Sequence, residues 1–404
     1  MPNAEQTDQE VRDFPNTPTG QLKPHPALDQ LRETEPVSRV RAPHGKDAWL
    51  VTRYADVRTG LADPRFSRAA AITEDVPRAT PGVPQADSIM SLDPPDHTRL
   101  RTLVAKAFTA GRVAKLRPRA EQIAEELLDR VVEHGEPADL VELFCLPMPV
   151  AVICELLGVP AADQGEFRTW SDAFLSTSKL TMEEIGTAGL KLYTYLLDLV
   201  NQRRETPTDD LLGALVAARD GDERLTEHEL VMLGVTMLIA GYETTGGQLA
   251  NFLYLLLGTD DVAQRLRARP ELLPSAIEEM LRTVPVLAGV GFARIATEDV
   301  ELSGTLIRAG EAVLTSEPAA NRDSEIFGEH VEFDIERQPN PHLTFGHGVH
   351  YCLGAQLAKM ELQVGLGAVL RRFPNLRFAA DPQRLRWKEG TLAHGVAELP
   401  VAWS

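Results

Sequence analysis

Cysteine is scarce in this 404-residue sequence: Cys145, Cys154 and Cys352 are the full complement. Three are too few for a disulfide scaffold, and Cys145 and Cys154, set among Leu, Val, Ile and Pro, read as core. No run of 18 apolar residues occurs, so no transmembrane helix is expected. The opening MPNAEQTDQEVRDFPNTP has neither a basic n-region nor an apolar h-region, which excludes a secretory signal and places the protein in the cytoplasm. Positive charge is in deficit. Lys and Arg number 41 against 59 Asp and Glu, a net charge of −18, which argues against nucleic acid or an anionic membrane as partner. Internal repeats are missing, and so is any flavin-domain or iron–sulfur-domain motif. Composition is otherwise that of a globular protein, 25% charged and 43% hydrophobic, and the length alone would suggest two or three domains.

The informative residues are concentrated in His342 to Glu361, HLTFGHGVHYCLGAQLAKME. Gly346, Gly348 and Gly354 fall close together, and glycine is used where the backbone takes φ > 0 or passes close to something bulky. Beyond Cys352, the residues Leu353, Leu357, Met360, Glu361 and Val364 lie on a run of good helix formers. Cys352 therefore stands where a glycine-rich loop turns into a helix. Unpaired N–H groups at a helix start carry partial positive charge, a setting that lowers a thiol pKa and steadies a thiolate. Such a thiolate is a metal ligand or a nucleophile. A nucleophile needs a base, and His350 is near. A zinc site needs further Cys or His at metal spacing, and no second cysteine is nearby. A lone cysteine can also be a small buried hydrophobe. One thiolate in a glycine-rich loop suits a flat macrocycle that needs close backbone approach and a single axial ligand.

The remainder can be read in order. Alternation from Pro36 to Tyr54 predicts two strands joined at His44-Gly45-Lys46. A short helix follows over 55–62, then a long aperiodic loop over 67–91 of the kind that carries function. Asp93-Pro94-Pro95-Asp96 is a helix entry, and His97 and Arg101 share one face of the helix that follows. From His97 to Ala120 there is no acid, while Arg99, Lys106, Arg112, Lys115, Arg117 and Arg119 are present. Helical periodicity marks 111–135, 138–160, 164–178 and 182–204, the last opened by the capping pattern Thr181-x-x-Glu184. Thr226 to Leu257 is the longest periodic segment, with Thr226 and Glu229 as its cap. Its centre, Ala240-Gly241-Tyr242-Glu243-Thr244-Thr245-Gly246-Gly247, is rich in poor helix formers. A local rule broken inside a strong element marks function. Small residues let a ligand lie against the backbone, and a mid-helix threonine can bond back to a carbonyl and bend the helix; a kinked core helix is the plain alternative. Glu279 and Arg282 sit at i,i+3. Strand alternation runs through 295–316, and GTLAHGVAELPVAW reads as a hairpin.

Phe345-Gly346-His347-Gly348-Val349-His350-Tyr351-Cys352-Leu353-Gly354 resembles the haem-binding loop of cytochromes P450, F-G-x-G-x-H-x-C-x-G, at every fixed position. Ala240, Gly241, Glu243 and Thr244 resemble that family's oxygen-binding motif, A/G-G-x-D/E-T. Glu279-x-x-Arg282 resembles its E-x-x-R pair, which forms a buried structural network with a later Arg or Asn. Asn321-Arg322-Asp323 and Phe333-Asp334-x-x-Arg337 resemble the segment before the haem loop, although Ser324 stands where members often carry Pro. The resemblance runs from about residue 20 to the end. It implies a mainly α fold with small β-sheets, one domain over 1–404 behind a loose entry at 1–25, and haem between a long central helix and the Cys-loop helix.

What the resemblance implies for chemistry is specific. The cofactor is haem b, its iron ligated by the Cys352 thiolate, which pushes electron density toward the iron. His97, Arg101 and Arg294 match positions that hold the propionates, guanidinium pairing well with carboxylate. Phe345, Gly346, His350 and Gly354 belong to the cofactor loop, and Ala240 and Gly241 to the opposite wall. Glu243 and Thr244 are assigned to proton delivery. Met90, Phe174, Met237, Leu238, Thr245, Leu287, Val290 and Leu392 fall at substrate-wall positions. The implied activity is monooxygenation, by hydroxylation or epoxidation, of a small hydrophobic molecule such as a polyketide or macrolide, with electrons from a ferredoxin and its ferredoxin reductase. Two other classes stay open: peroxide-driven or oxidative-coupling chemistry on the same fold, and a haem protein that binds gas without turnover. The acid-free run is the expected docking face for an acidic ferredoxin.

Overall fold

The computed structural model describes residues 10–18, 20–79, 83, 85–107, 109–174, 180–219, 225–287, 291–328, 333–389 and 391–404. In chain order the helices are α1 (Ala27–Thr34), α2 (Tyr54–Ala62), α3 (Asp96–Ala107), α4 (Ala110–His134), α5 (Pro147–Leu157), α6 (Gln164–Phe174) and α7 (Met182–Glu205). They continue as α8 (Leu211–Arg219), α9 (Glu227–Leu257), α10 (Asp260–Ala268), α11 (Leu273–Thr283), α12 (Glu317–Ala320), α13 (Ser324–Phe327) and α14 (Ala355–Arg372). The capping boxes expected at Thr181/Glu184 and Thr226/Glu229 are both formed. Part of the segment expected as helix over 138–160 is instead a two-residue strand, Ala138–Asp139, and a π-helical turn, Val141–Cys145. The residues between α6 and α7, at 175–179, lie outside the described residues.

The core is helical. α9 packs against α5, α7 and α14, and α14 packs against α4. One cluster of buried side chains runs through all of them and includes Leu128, Phe144, Met148, Leu196, Phe252 and Leu366. Burial on this scale stabilises by roughly 25 cal/mol per Å² of apolar surface, which is why α9 is apolar on most of its faces.

A mixed sheet flanks the helices. The strands are β1 (Arg12–Asp13), β2 (Val37–Arg41), β3 (Ala48–Val51), β4 (Phe66–Ser67), β5 (Ala138–Asp139), β6 (Arg294–Ala296), β7 (Val300–Leu302), β8 (Thr305–Ile307), β9 (Ala312–Thr315), β10 (Arg377–Phe378) and β11 (Pro400–Ala402). The larger sheet has the order β1-β2-β3-β9-β6-β4. Its last antiparallel pair sets Phe66 opposite Ala296 and Ser67 opposite Ile295, so the register brings Arg68 toward Arg294. The C-terminal stretch does not form the expected local hairpin. β11 pairs with β10 and β5, while Trp387 bridges Val396 and Leu287 bridges Ala393. Two buried side chains of α9 tie down neighbouring chain, Asn251 this loop and Gln248 the end of α11. Asn251 donates to the His394 carbonyl at 2.8 Å and accepts from the Val396 N–H at 3.2 Å, and Gln248 donates to the Val284 carbonyl at 3.0 Å.

A charge cluster centres on Glu279 and Arg282, whose side chains have no solvent contact. The Glu279 carboxylate takes Arg282 Nη2 at 2.6 Å and Nε at 2.8 Å, Asn340 Nδ2 at 3.0 Å, Arg337 Nε at 3.3 Å and the Asp334 N–H at 2.9 Å. Arg282 also donates to the Asn321 carbonyl at 2.8 Å. One acid thus fixes α11 to the segment that leads into the cysteine loop. Removing one partner of a buried pair leaves an uncompensated charge, at about 3–5 kcal/mol. Glu279→Ala should lower stability by about that amount in denaturant unfolding, whereas Glu278→Ala, on the half-exposed neighbour, should cost less than half as much.

Candidate active site

The cysteine loop is shaped by its own backbone. Gly346 N–H donates to the Leu343 carbonyl at 2.8 Å, Tyr351 N–H to Gly348 at 3.1 Å and Cys352 N–H to Phe345 at 2.9 Å. Gly348 has φ of 73°, and a Cβ there would lie 2.8 Å from Ala62 Cα, so α2 closes one side of the loop. Lys359 lies over the Phe345 ring at 5.3 Å and is held there by Glu278 at 2.8 Å. Gly354 caps α14, and Cys352 stands just ahead of it with an exposed surface. The N–H groups of Gly354 and Ala355 and the nearby Arg101 draw the thiol pKa down, but burial by the surrounding protein outweighs them and pushes it up. The helix start alone therefore does not ionise this thiol, contrary to the reading from the sequence. A coordinated metal ion deprotonates a thiol outright. Cys145 and Cys154 are buried, burial pushing the Cys145 thiol far above its usual range and the Cys154 thiol up to about 12, and are inert core, as expected.

Beside the loop is a recess crowded with cations. His97 on α3 stacks on His350 with ring centroids 4.2 Å apart. Arg101, one turn further on α3, donates to the Tyr351 carbonyl at 2.5 Å. Arg294 and Arg68 come from the two facing sheet strands and are 4% and 8% exposed. Arg68 stacks over Phe292 at 4.6 Å. Its backbone N–H donates to Asp93 at 2.9 Å, which also takes Ser67 Oγ at 2.5 Å. Arg294 donates only to the Phe292 carbonyl, at 3.5 Å. Neither guanidinium has a carboxylate within ion-pair distance among the described residues. The electrostatic result is severe. Burial and Arg294 pull Arg68 down to about 9. Burial, with Arg68, His97, Arg294 and Arg101, pulls His350 down to about 3. His97 is lowered by burial and by Arg101 and Arg68. His97 Nδ1 and His350 Nε2 are buried without a hydrogen-bond partner. Asp93 and Glu317 act on the two guanidinium groups from beyond ion-pair distance; buried charges are normally paired directly, so this recess keeps places for further anions.

α9 carries the residues expected on the facing wall. At mid-helix Ala240 is exposed and Thr244 half-buried, while Tyr242, Glu243 and Thr245 are buried. Thr244 Oγ1 donates to the Ala240 carbonyl at 2.6 Å, the back-bond read from the sequence. Glu243 does not face that opening; its carboxylate meets Lys388 Nζ at 3.2 Å. A Cβ at Gly246 would lie 2.8 Å from the Cys145 carbonyl, one at Gly247 3.4 Å from Lys388 Nζ, and one at Gly241 3.8 Å from Ile153. Of the expected substrate walls, Met90, Met237, Leu287 and Leu392 are half-buried, and Leu238 and Thr245 are buried. Val290 and the side chain of Phe174 lie outside the described residues.

Cys352, His97, Arg101, Arg294 and His350 are thus brought together. Arg68 and Lys388 were not legible in the sequence: no periodicity or spacing marks either, and only strand register and loop path place them. The acid-free run also reads differently in three dimensions. Arg99 pairs with Glu229, Arg112 with Asp209 at 3.2 Å, and Arg119 with Glu155 at 3.2 Å and Glu126 at 3.3 Å. Arg117 bonds Gln363 at 2.6 Å. Lys115 is exposed, and the side chain of Lys106 lies outside the described residues. Acids from other helices therefore offset most of the stripe. Among the described residues no three metal-ligating side chains gather, and no helix is long and apolar enough to cross a membrane.

A thiol at a helix start, an anion recess beside it and an open helix face opposite fit a dianionic metal macrocycle. The family model of cytochrome P450 matches residues 179–269 and 268–388, and the chain belongs to the cytochrome P450 family. It is 51% identical over 397 residues to the mycinamicin IV hydroxylase/epoxidase of Micromonospora griseorubida, covering 98% of this chain and 100% of that protein. It is 50% identical to the nocardicin C N-oxygenase of Nocardia uniformis subsp. tsuyamanensis, with 98% and 100% covered. A structure of a mutant of the mixed-function P450 MycG in complex with mycinamicin IV superposes with a TM-score of 0.93 at 51% identity, covering 98% and 100% of the two chains. The P450mel 107F1 structure, described as having biaryl coupling reactivity, superposes with a TM-score of 0.93 at 44% identity, covering 98% and 100%. The fold is therefore the expected one, the cofactor is a cysteine-ligated haem, and the activity is that of a haem monooxygenase. Bacterial members of this family act on lipophilic substrates and draw on ferredoxin and its reductase.

Proposed function

We propose that Cys352 is the axial ligand of the haem iron, and that His97, Arg101, Arg294, His350 and the newly found Arg68 hold its two propionates. The observation that carries this reading is the surplus of buried cations, without paired carboxylates, beside a cysteine at a helix start. Phe345, Gly346 and Gly354 shape the loop under the macrocycle. Ala240, with Gly241 beside it, forms the facing wall. Bound haem supplies oxygen activation. The chain supplies the pocket that excludes water and the groups that move protons, Thr244 at the open face and Glu243 behind it. One oxygen atom enters the substrate and the other leaves as water, consuming two electrons and two protons. The electrons come from a ferredoxin reduced by its reductase. Because the arginines of the acid-free run are already paired, the ferredoxin meets a mixed surface in which Lys115 is an exposed cation beside the ion pairs of Arg99 and Arg119.

The substrate in this reading is a lipophilic macrolide or related polyketide. Full-length likeness to a mycinamicin IV hydroxylase/epoxidase and the apolar residues flanking the open face of α9 support it. Likeness to an N-oxygenase at 50% identity and to a coupling enzyme at 44% favours a second reading, oxidation at nitrogen or phenol coupling.

A spectral titration decides between the two. Macrolides should displace the iron-bound water and shift the haem to high spin, and turnover should give monooxygenated products. A shift with aromatic amino-acid derivatives or phenols alone would establish the second reading.

Two variants test the cofactor site. Cys352→His should abolish the thiolate-type absorption of the reduced, CO-bound protein; an unchanged band would remove the assignment. Arg68→Ala should lose haem to apomyoglobin about tenfold faster or more, as expected for charge-assisted hydrogen bonds, while Arg68→Lys falls between. An unchanged rate would leave Arg68 outside the propionate site.

A further inference from the structure

The C-terminal end of α9 carries an opening of its own. A cleft of about 230 Å³ is lined by the last turns of α9 and α14, by α10 and by the chain leading into β10. Its lining includes the apolar side chains of Leu253, Ala263, Leu370 and Leu376 and the two cations Arg267 and Arg377. At 1.5 Å per residue, Leu253 lies about 14 Å along the helix from Thr244, so the cleft is separate from the cofactor side.

The pattern of α10 sets Arg267 in place. Val262, Ala263 and Leu266 are buried, and α10 packs on α9 and α14. Arg267 follows Ala263 by four residues, which puts it on the same side of the helix. It is half-buried, and its Nε is shut off from solvent without a hydrogen-bond partner. Among the described residues the Arg267 guanidinium has no ion pair either. Its neighbours differ. Arg265 pairs with Glu336 at 2.6 Å, and Arg269 with Glu271 and Glu336 at 3.3 Å. Arg371 pairs with Glu125 at 3.2 Å and Arg372 with Asp129 at 2.6 Å. Arg377, also in the cleft, donates to the Ser404 carbonyl at 2.7 Å. Arg267 is not a helix cap. Backbone N–H groups serve the nearby helix ends, Gly258 donating to the Tyr254 and Leu255 carbonyls at 3.1 Å and Phe373 to Val369 at 3.0 Å. A buried donor without an acceptor is costly, and a ligand that supplies the acceptor removes that cost.

We propose that this cleft binds a small amphipathic carboxylate. Its head takes the Nε edge of Arg267, where two parallel N–H groups match two carboxylate oxygens. Its alkyl tail lies against Leu253, Ala263 and Leu370. One unpaired guanidinium matches a monoanion. With the roughly 30 Å³ share of one liquid water as the volume of a heavy atom, the cleft holds about eight heavy atoms, a chain of about six to eight carbons. A macrolide is far too large for it, so this ligand is distinct from the molecule oxidised at the haem. Because the cleft joins the ends of α9, α10 and α14, an acid bound there stabilises the helical core.

The test uses the haem-loaded protein and octanoate as probe, with octylammonium and acetate as controls for charge and tail. Calorimetric titration should give a Kd on the order of 0.1–1 mM for octanoate, binding at least about tenfold weaker for acetate, and none for octylammonium. Arg267→Met should weaken octanoate binding about tenfold or more, and Arg267→Lys, which keeps the charge without the planar fork, should fall between. At about ten times its Kd, octanoate should raise the Tm of the parent by about 2 °C and leave that of Arg267→Met nearly unmoved. The CO-bound spectrum should be the same in all three proteins, since Arg267 is remote from the cofactor. Should Arg267→Met fail to fold, Arg267→Gln takes its place. The assignment falls if the parent shows no binding. It falls equally if octanoate changes the haem spin state and binds parent and Arg267→Met alike, which would place the acid in the haem pocket. Acetyl-Leu-Leu with a free C-terminal carboxylate is the last arm. If it binds about tenfold tighter than octanoate and needs Arg267, the cleft receives a protein terminus, and the small-acid assignment is wrong.

Discussion

Buried guanidinium groups must find anions, and this molecule meets that requirement in two opposite ways. At Glu279 the chain provides its own anion, and Arg282 and Arg337 converge on it with the Asn340 amide filling the remaining acceptor position. At Arg68 and Arg294 it provides none within ion-pair distance among the described residues. Both clusters lie against the same segment of chain leading to Cys352. The first makes that segment rigid. The second has no direct ion pair, its guanidinium groups being met by Asp93 and Glu317 only at longer range, so it is the side of the loop that a bound anion completes. Folding and cofactor retention are therefore linked through one loop, whose two sides differ only in where the negative charge comes from.

Long periodic segments and loops with a fixed spacing of special residues were legible in the sequence. α7 and α9 begin at their capping boxes, and the loop from Phe345 to Gly354 adopts the turn its glycines demand. His97 and Arg101 lie one helical turn apart, so their shared face follows from spacing alone. Arg68 was not legible because its neighbourhood is set by strand register, with Ser67 opposite Ile295 across a gap of more than two hundred residues. Lys388 escaped for a similar reason. The π-helical turn at Val141–Cys145 was hidden because its composition is that of any apolar helix. The thiol was misjudged because a local rule, the positive helix start, competes with burial, and burial is a property of the whole fold.

α9 carries three different duties on three faces, and its glycines mark the boundaries between them. One face is plain core against α5 and α14. A second opens at Ala240 and Thr244. The third, through Glu243 and Asn251, grips the C-terminal loop by side-chain hydrogen bonds and an ion pair. Gly246 is needed because the Cys145 carbonyl passes where a side chain would stand. Glycine here lets a polar neighbour approach a helix that must stay continuous.

The grip on the C-terminal loop has a consequence for how such enzymes diversify. The loop is pinned at its base by Asn251 and at His394 by a bond to the Gln21 carbonyl at 2.7 Å. Between Lys388 and His394 the chain makes only the Leu287–Ala393 bridge and a local hydroxyl bond from Thr391 among the contacts described. Thr391 and Leu392 thus occupy a short tip whose two ends are fixed independently of what the tip contains. A tip of this kind works as an exchangeable tile: its residues can vary to suit a new molecule while the frame, and the helix it clasps, keep their geometry.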